Sequence, residues 1–253
     1  MAIGKVVPAR CFPSWFPNFA TVVITKSVGW STFLLGMVAG FCDTATFVGG
    51  QSIFSAHVTG NFIFFAAQFA SESRNAGAWA RLLTFPVFVI AVMTGGWVAE
   101  RARRKNSILF LEGIVLTVAG IAAILLPVLK GLDTQVIIYL VVLTTAFGMG
   151  LQNAFGKLCA GATYGPTTMM TGNVTQAALD LGNLIRKRGN ADELSRASFK
   201  KLRITIGAFL TGCLIGGVLT IRLGLGTILI PGLAITLCYL MEEYDRNVRP
   251  QAG

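Results

Sequence analysis

The residues best suited to chemistry in this chain stand in a short sequence that occurs twice. Thr59-Gly60-Asn61 recurs as Thr171-Gly172-Asn173, 112 positions further on, and each copy precedes a short apolar segment. A Gly-Asn step before an apolar run is typical of a helix start, where an Asn or Thr oxygen caps free backbone N–H groups. Two such starts would present positive helix ends and polar side chains to an anion or a dipolar molecule. We therefore predict that both copies bind substrate.

Two ionisable residues accompany the first copy. Asp43 lies near the middle of an apolar run, and His57, the only histidine of the chain, precedes Thr59 by two positions. An acid at membrane depth indicates function, and an Asp–His pair could carry a coupled proton. The alternatives are a structural hydrogen bond from exposed amides to Asp43 and a satisfied, buried imidazole at His57. In the second half Asn153 stands at the position of Asp43, so Gln152 and Asn153 are predicted to line a polar cavity or to bond between helices.

Apolar helices must position these residues. The composition is 54% hydrophobic and 13% charged, with 29 glycines, and several runs approach or exceed the 18 apolar residues that cross a hydrocarbon core. This predicts an all-α polytopic protein whose main partner is the lipid bilayer. The net charge of +10 comes from Lys and Arg clustered between the apolar runs, as in cytoplasmic loops, so no nucleic-acid partner is expected.

The chain divides into two halves of similar order. Gly40 to Ala45 aligns with Gly150 to Phe155, and after the motif Thr94-Gly95 aligns with Thr211-Gly212. Each half therefore reads as a span, a Thr-Gly-Asn segment and two further spans, which indicates an internal duplication. The predicted organisation is an interfacial segment (1–30), two membrane repeats (31–130 and 131–241) and a polar tail (242–253).

The predicted spans follow the apolar runs. They cover residues 31–50, 81–100, 107–129, 134–156, 204–221 and 223–240, with motif segments at 51–71 and 157–185 and a polar loop from Arg186 to Arg203. Glu112, near the start of the third span, is close to the basic residues 101–105, and we expect it to snorkel into an ion pair there.

Charge favours one of two topologies. If each motif segment enters and leaves by the same side, six helices cross, 17 of the 21 Lys and Arg lie inside, and the second half is inverted relative to the first. The alternative has eight crossings and parallel repeats, and it leaves the basic cluster 101–105 outside. We favour three spanning helices plus one re-entrant or broken half-helix segment in each half.

Enzymatic and metal chemistry find no support in the sequence. It has no Ser/His/Asp or Cys/His set and no nucleotide-binding glycine motif, so we expect neither catalysis nor a cofactor. The five cysteines are scattered without metal-ligand spacing, which predicts no metal site.

The quoted motifs also carry a resemblance to a family. Gly-Phe-x-Asp before His-Val-Thr-Gly-Asn, then Gly-Leu-Gln-Asn-Ala before Met-Thr-Gly-Asn, resembles the YoaK family, the domain of unknown function 1275 of bacterial and fungal membrane proteins. The resemblance runs from about Thr32 to Leu240. It implies an integral inner-membrane protein and supplies no substrate.

Taken together, these features predict a small secondary transporter of the cell inner membrane, with several passes and both termini cytoplasmic. Its substrate would be a small anion or polar metabolite held between the two motif starts, with a coupled proton at Asp43 and His57. The alternatives are a passive channel, which could be a homo-oligomer, and a structural or assembly protein without transport activity.

Overall fold

The computed structural model describes residues 28–71, 76–102, 106–128, 133–159, 162–163, 167–186 and 193–248. Within these ranges the chain forms α1 (Val28–Gly49), α2 (Gly60–Ala70), α3 (Ala76–Arg101), α4 (Ser107–Leu125), α5 (Thr134–Leu158), α6 (Met170–Arg186), α7 (Glu193–Leu223) and α8 (Leu229–Val248). One-turn 3-10 helices, Leu126–Val128 and Leu225–Ile228, follow α4 and precede α8. The predicted interfacial segment up to residue 27 and the end of the predicted tail lie outside the described residues.

Five of the described helices are long and apolar enough to cross a membrane, namely α1, α3, α4 with its 3-10 turn, α5 and α7. The helices α2 and α8 are apolar but shorter over their described apolar stretches. At a rise of about 1.5 Å per residue, the 11 residues of α2 are too few to cross a hydrocarbon core. The described chain is thus a helical, multi-pass membrane protein, as its apolar runs predict.

The helices pack in a few extensive pairs. α1 packs along α7, α3 along α5, and α4 along both α8 and α5, while α2 lies on α3 and α6 lies on α7. Glycines allow the backbones to approach closely where α1 crosses α7. A Cβ at Gly40 would overlap the carbonyl oxygen of Phe209, and one at Gly212 would overlap the carbonyl oxygen of Met37. Small residues bring membrane helices together in this way because dispersion contacts replace the missing hydrophobic driving force.

A non-helical segment from residue 50 to residue 59 separates α1 from α2. The amides of Gly50 and Ser52 bond back to the carbonyls of Thr46 and Phe47, which closes the last turn of α1. Gln51 and Ser52 then adopt positive φ values of 60° and 59°, a conformation that non-glycine residues rarely take. The chain reverses sharply here, so the following segment lies against the helix that it has just left.

Two expectations from sequence are wrong. The polar stretch from Arg186 to Arg203 was expected to be a loop, but it is helical from Glu193 onward. The helix α7 begins with charged turns that precede its apolar run. Glu112 does not snorkel, since its side chain is fully buried in the core face of α4, between Leu109 and Leu116.

Candidate functional site

Asp43 organises the break between α1 and α2. Its Oδ1 accepts hydrogen bonds from the backbone amides of Ala56 at 2.7 Å and His57 at 3.3 Å. Its Oδ2 lies 2.5 Å from Nδ1 of His57. The carboxyl group is nearly buried, with its side chain 6% exposed, whereas the His57 side chain is 35% exposed. Asp43 therefore fixes the non-helical segment and presents the imidazole at the surface of the site.

Asn61 fastens the same segment from the other side. Its Oδ1 accepts from the amide of Phe54 at 2.9 Å, and its Nδ2 donates to the carbonyl of Phe54 at 2.8 Å and to Oγ1 of Thr84 at 2.9 Å. Asn61 is fully buried. Its amide mimics a strand partner for Phe54, and the bond to Thr84 joins α2 to α3.

The predicted cap of α2 is absent. Thr59 occupies the N-cap position but makes no side-chain capping bond. The amides of Gly60, Asn61 and Phe62 instead donate to the carbonyls of His57, Val58 and Thr59. Because these short-range bonds use the first amides of the helix, the expected free N–H groups are occupied.

A cleft of about 670 Å³ opens beside the Asp43–His57 pair. Residues from α1, the break, α2 and α7 line it: Asp43, Thr44, Phe47, Phe54, His57, Thr59, Gly60, Ile63, Phe209 and Cys213. The Phe47 and Phe54 rings stack with their centroids 4.8 Å apart. The His57 and Phe209 rings make an edge-to-face contact with their centroids 5.6 Å apart. The lining formed by these described residues includes one carboxyl and no Lys or Arg. Such a mixture of aromatic walls and few polar groups is typical of small-molecule sites.

The second motif lies elsewhere. Thr171 and Gly172 are exposed in the first turn of α6, and Asn173 is buried. Gln152 is buried and donates to the carbonyl of Leu35 at 2.7 Å and to Oγ1 of Thr167 at 2.8 Å.

Asn153, next to it on α5, is partly buried, and its Oδ1 has no hydrogen-bond partner within the described parts of the chain. The structure thus gathers Asp43, His57, Thr59 and Gly60 at one cleft. Asn61 supports that cleft from behind. The predicted site residues of the second half are outside its lining, namely Gln152, Asn153, Thr171, Gly172 and Asn173.

The cleft also contains residues that the motifs did not indicate. Phe209 and Cys213 project from α7 one turn apart, on either side of the Thr211-Gly212 step. In the sequence that step marked the match between the two halves, and its place in the repeat was the available signal. Phe47 and Phe54 carry no signal of their own, because phenylalanine is common throughout this chain.

Asn61→Ala should lower the free energy of unfolding by about 2 kcal/mol, because it leaves the part-buried Phe54 amide and carbonyl without partners. Thermal unfolding of the purified protein in detergent measures the effect. Thr171→Ala is the matched control, since its side chain is exposed in the second motif, and it should leave the melting temperature unchanged. Equal melting temperatures for the two variants would contradict the supporting role of Asn61.

Comparison with known proteins identifies a family by sequence. The model of a family described as "Protein of unknown function (DUF1275)" matches residues 31–241. No curated protein and no solved structure matches the chain.

Proposed function

Since the chain belongs to the DUF1275 family of proteins of unknown function, we propose its function from its own cleft: a small secondary transporter that binds a polar metabolite beside Asp43 and His57. The observation that carries this proposal is the buried carboxyl paired with a half-exposed imidazole at a helix break. Non-helical backbone at membrane depth is tolerated where it lines a cavity or is buried in protein. Broken helices in transporters commonly hold the substrate at such a point.

The charges of the cleft favour a neutral or cationic substrate over an anion. The amides of Ala56 and His57, which could have bound an anion, already donate to Asp43. The described lining holds no Lys or Arg, and a protonated His57 does no more than neutralise the carboxyl. Phe47, Phe54 and Phe209 add flat apolar walls. A planar, polar metabolite fits this combination, because its ring contacts phenylalanine while its edge bonds to the Asp–His pair.

The coupled proton belongs, in this proposal, to the Asp43–His57 pair. One proton between Oδ2 and Nδ1 makes the pair net neutral, and its removal leaves a net negative charge beside the substrate. Cys213 is the other titratable side chain in the described lining. A cationic substrate and the proton would therefore compete for one site, which is the basis of exchange between them.

The proposed architecture is a pair of interlocked, inverted repeats. Helix α1 of the first half packs on α7 of the second, and α5, the equivalent of α1, packs on α3, the equivalent of α7. The aligned glycines support this exchange. Gly40 and Gly212 lie at the α1–α7 crossing, while Gly150 lies against Phe88 and Gly95 against Ala154, both at the α3–α5 crossing.

We propose a topology to match. It places α1, α3, α4, α5, α7 and α8 across the membrane and lets α2 and α6 re-enter, so both termini lie on one side. The distribution of Lys and Arg favours the cytoplasmic side, and the family resemblance implies the inner membrane. Rocking of one repeat against the other would then expose the cleft alternately to each side.

A ligand series tests the substrate class. Benzoate, benzamide and benzylammonium share one ring and differ in charge, and each is added to the purified full-length protein in a thermal-unfolding assay. Benzamide and benzylammonium should raise the melting temperature, because ligands that bind only the folded state stabilise it. Stabilisation by benzoate alone, or by none of the three, contradicts the proposal.

Uptake into proteoliposomes separates carriers from the other functions. Saturable uptake of the best-stabilising compound, driven by an imposed pH gradient, supports a proton-coupled carrier. Flux that neither saturates nor depends on pH indicates a passive channel, and binding without flux favours a structural role.

A further inference from the structure

A second acidic group lies inside the helical core, away from the cleft. Glu112 on α4 is 0% exposed, and Leu109 and Leu116 on the same face of α4 are 2% and 0% exposed. Gly113 beside it lies against Thr236, and Gly232 lies against Thr117, so the α4 and α8 backbones are closely apposed around it. The Glu112 carboxyl therefore has no contact with water in this arrangement.

The carboxyl also lacks a partner. Neither Oε1 nor Oε2 of Glu112 has a hydrogen-bond partner among the described residues. An unpaired carboxylate in such surroundings costs many kcal/mol, whereas the neutral acid costs far less, so the group must hold a proton. Retaining a carboxyl here is unfavourable unless the proton itself has a use.

An unused acceptor lies at the same height on α5. Gly148 of α5 packs against Leu116 of α4, and the two helices run antiparallel as a hairpin. Glu112 precedes Leu116 by about one turn and Gln152 follows Gly148 by about one turn. Because the helices are antiparallel, Glu112 and Gln152 lie at one level of the bundle. Gln152 is buried, and its Oε1 has no hydrogen-bond partner in the described chain. The O–H of a protonated carboxyl is the kind of donor that this oxygen lacks.

The described titratable side chains around Glu112 are thiols and a phenol rather than bases. Cys42 of α1 is a buried thiol in the same core cluster as Leu109 and Leu116. On α8, Tyr239 stacks on Phe110 at 4.8 Å and Cys238 is partly buried.

The basic residues of α3 and α5 lie toward the ends of those helices. Arg101 of α3 sits over the Trp97 ring at 4.4 Å, and Lys157 is in the last turn of α5. The described surroundings of Glu112 therefore provide burial and no opposite charge.

From this geometry we propose that Glu112 is a membrane-embedded proton-binding site, separate from the Asp43–His57 pair. It holds its proton in the arrangement described here and exchanges it when α4 and α8 separate. At Gly113 and Gly232 the side chains that face the glycines are those of Thr236 and Thr117, which are small. The inference does not depend on the substrate or on the proposed cleft.

Dicyclohexylcarbodiimide, an apolar reagent that enters the bilayer, tests the site in native membranes. It reacts with protonated carboxyls. The acid adds across one C=N bond, so its oxygen bonds to the central carbon and its proton moves to nitrogen, and the acyl group then shifts to nitrogen as a stable N-acylurea. The reaction is an addition and needs no oxidant or leaving group. Labelling therefore requires a carboxyl that is both neutral and reached during opening, which a permanently packed acid is not.

At about pH 8, where exposed carboxyls are ionised, peptide mapping by mass spectrometry should find the adduct on Glu112. Asp133, an exposed acid at the start of α5, should remain unmodified. Glu112→Gln should lose the adduct from that peptide and keep the melting temperature of the wild type, since glutamine resembles the neutral acid in shape. Mapping of the wild type assigns the label even if the variant misfolds. An unlabelled Glu112, or labelling that disappears at about the pH where ordinary carboxyls ionise, overturns the proposal.

Discussion

Asp43→Leu should lower the free energy of unfolding by about 4 kcal/mol and the melting temperature by about 10 °C. The physical reason is that the nearly buried Asp43 carboxyl accepts from the amides of Ala56 and His57 and is paired with the His57 imidazole. Leucine removes the acceptor and leaves those donors unpaired. Thermal unfolding of the purified protein in detergent measures the loss.

Asp43→Asn is the matched control for that variant. Its oxygen can accept from the Ala56 amide, and its NH₂ can donate to Nδ1 of His57, so the break should keep its shape and most of its stability. The negative charge is lost, however. Stabilisation by benzylammonium should therefore vanish while that by benzamide persists. Wild-type stability of Asp43→Leu would mean that the break is held by other contacts, and the cleft would lose its organising residue.

The helices could be read from the sequence where an apolar run ends at charged residues. The span predicted for 107–129 begins at Ser107 as expected and ends in the 3-10 turn Leu126–Val128. The prediction failed where a polar stretch is helical. The stretch from Glu193 to Arg203 is charged, yet it forms the first turns of α7. Hydropathy reports where a helix leaves the hydrocarbon, and hydrogen bonding continues beyond that point.

The sequence identified residues of the site but not their hydrogen-bond partners. The sequence indicated both Asp43 and Asn61, but the groups that they bond belong to the irregular segment between them. Asp43 reaches amides 13 and 14 positions away, and Asn61 reaches Phe54, seven positions back. These pairings depend on the reversal at Gln51 and Ser52, where φ is positive. Neither residue is a glycine, so the sequence does not indicate this conformation. The sequence pattern therefore predicted free amides at the start of α2, but local turns occupy those amides. The amides of the preceding segment are occupied by Asp43.

Glu112 shows the same limit in the opposite direction. Its distance from the basic cluster suggested a solvated ion pair, because about two helical turns are within reach of two long side chains. Whether Glu112 faces the core or the surface depends on how α1, α5 and α8 pack on α4. The local sequence around Glu112 does not reveal that packing. The buried stripe of Leu109, Glu112 and Leu116 decides the matter.

Gly212→Ala should destabilise the protein by about 3 kcal/mol, since the added methyl group meets the Met37 backbone, which cannot rotate away. Gly207→Ala on the same helix is the control. A Cβ there meets nothing within 4 Å, so its melting temperature should match that of the wild type. Thermal unfolding in detergent compares the two, and an equal effect of both substitutions would show that general helix properties, rather than the α1–α7 contact, matter.

The same substitution connects the helix crossing to the cleft. Phe209 and Cys213 flank Gly212 on α7 and line the cleft together with Asp43 and Thr44 of α1. Separating the two helices at Gly212 must therefore change the shape of the cleft. Gly212→Ala should therefore lose the stabilisation by benzamide at a temperature where the protein is still folded, whereas Gly207→Ala should keep it. If benzamide still stabilised the Gly212 variant fully, ligand binding would not involve the wall that α7 provides, and the substrate site would have to be sought elsewhere in the chain.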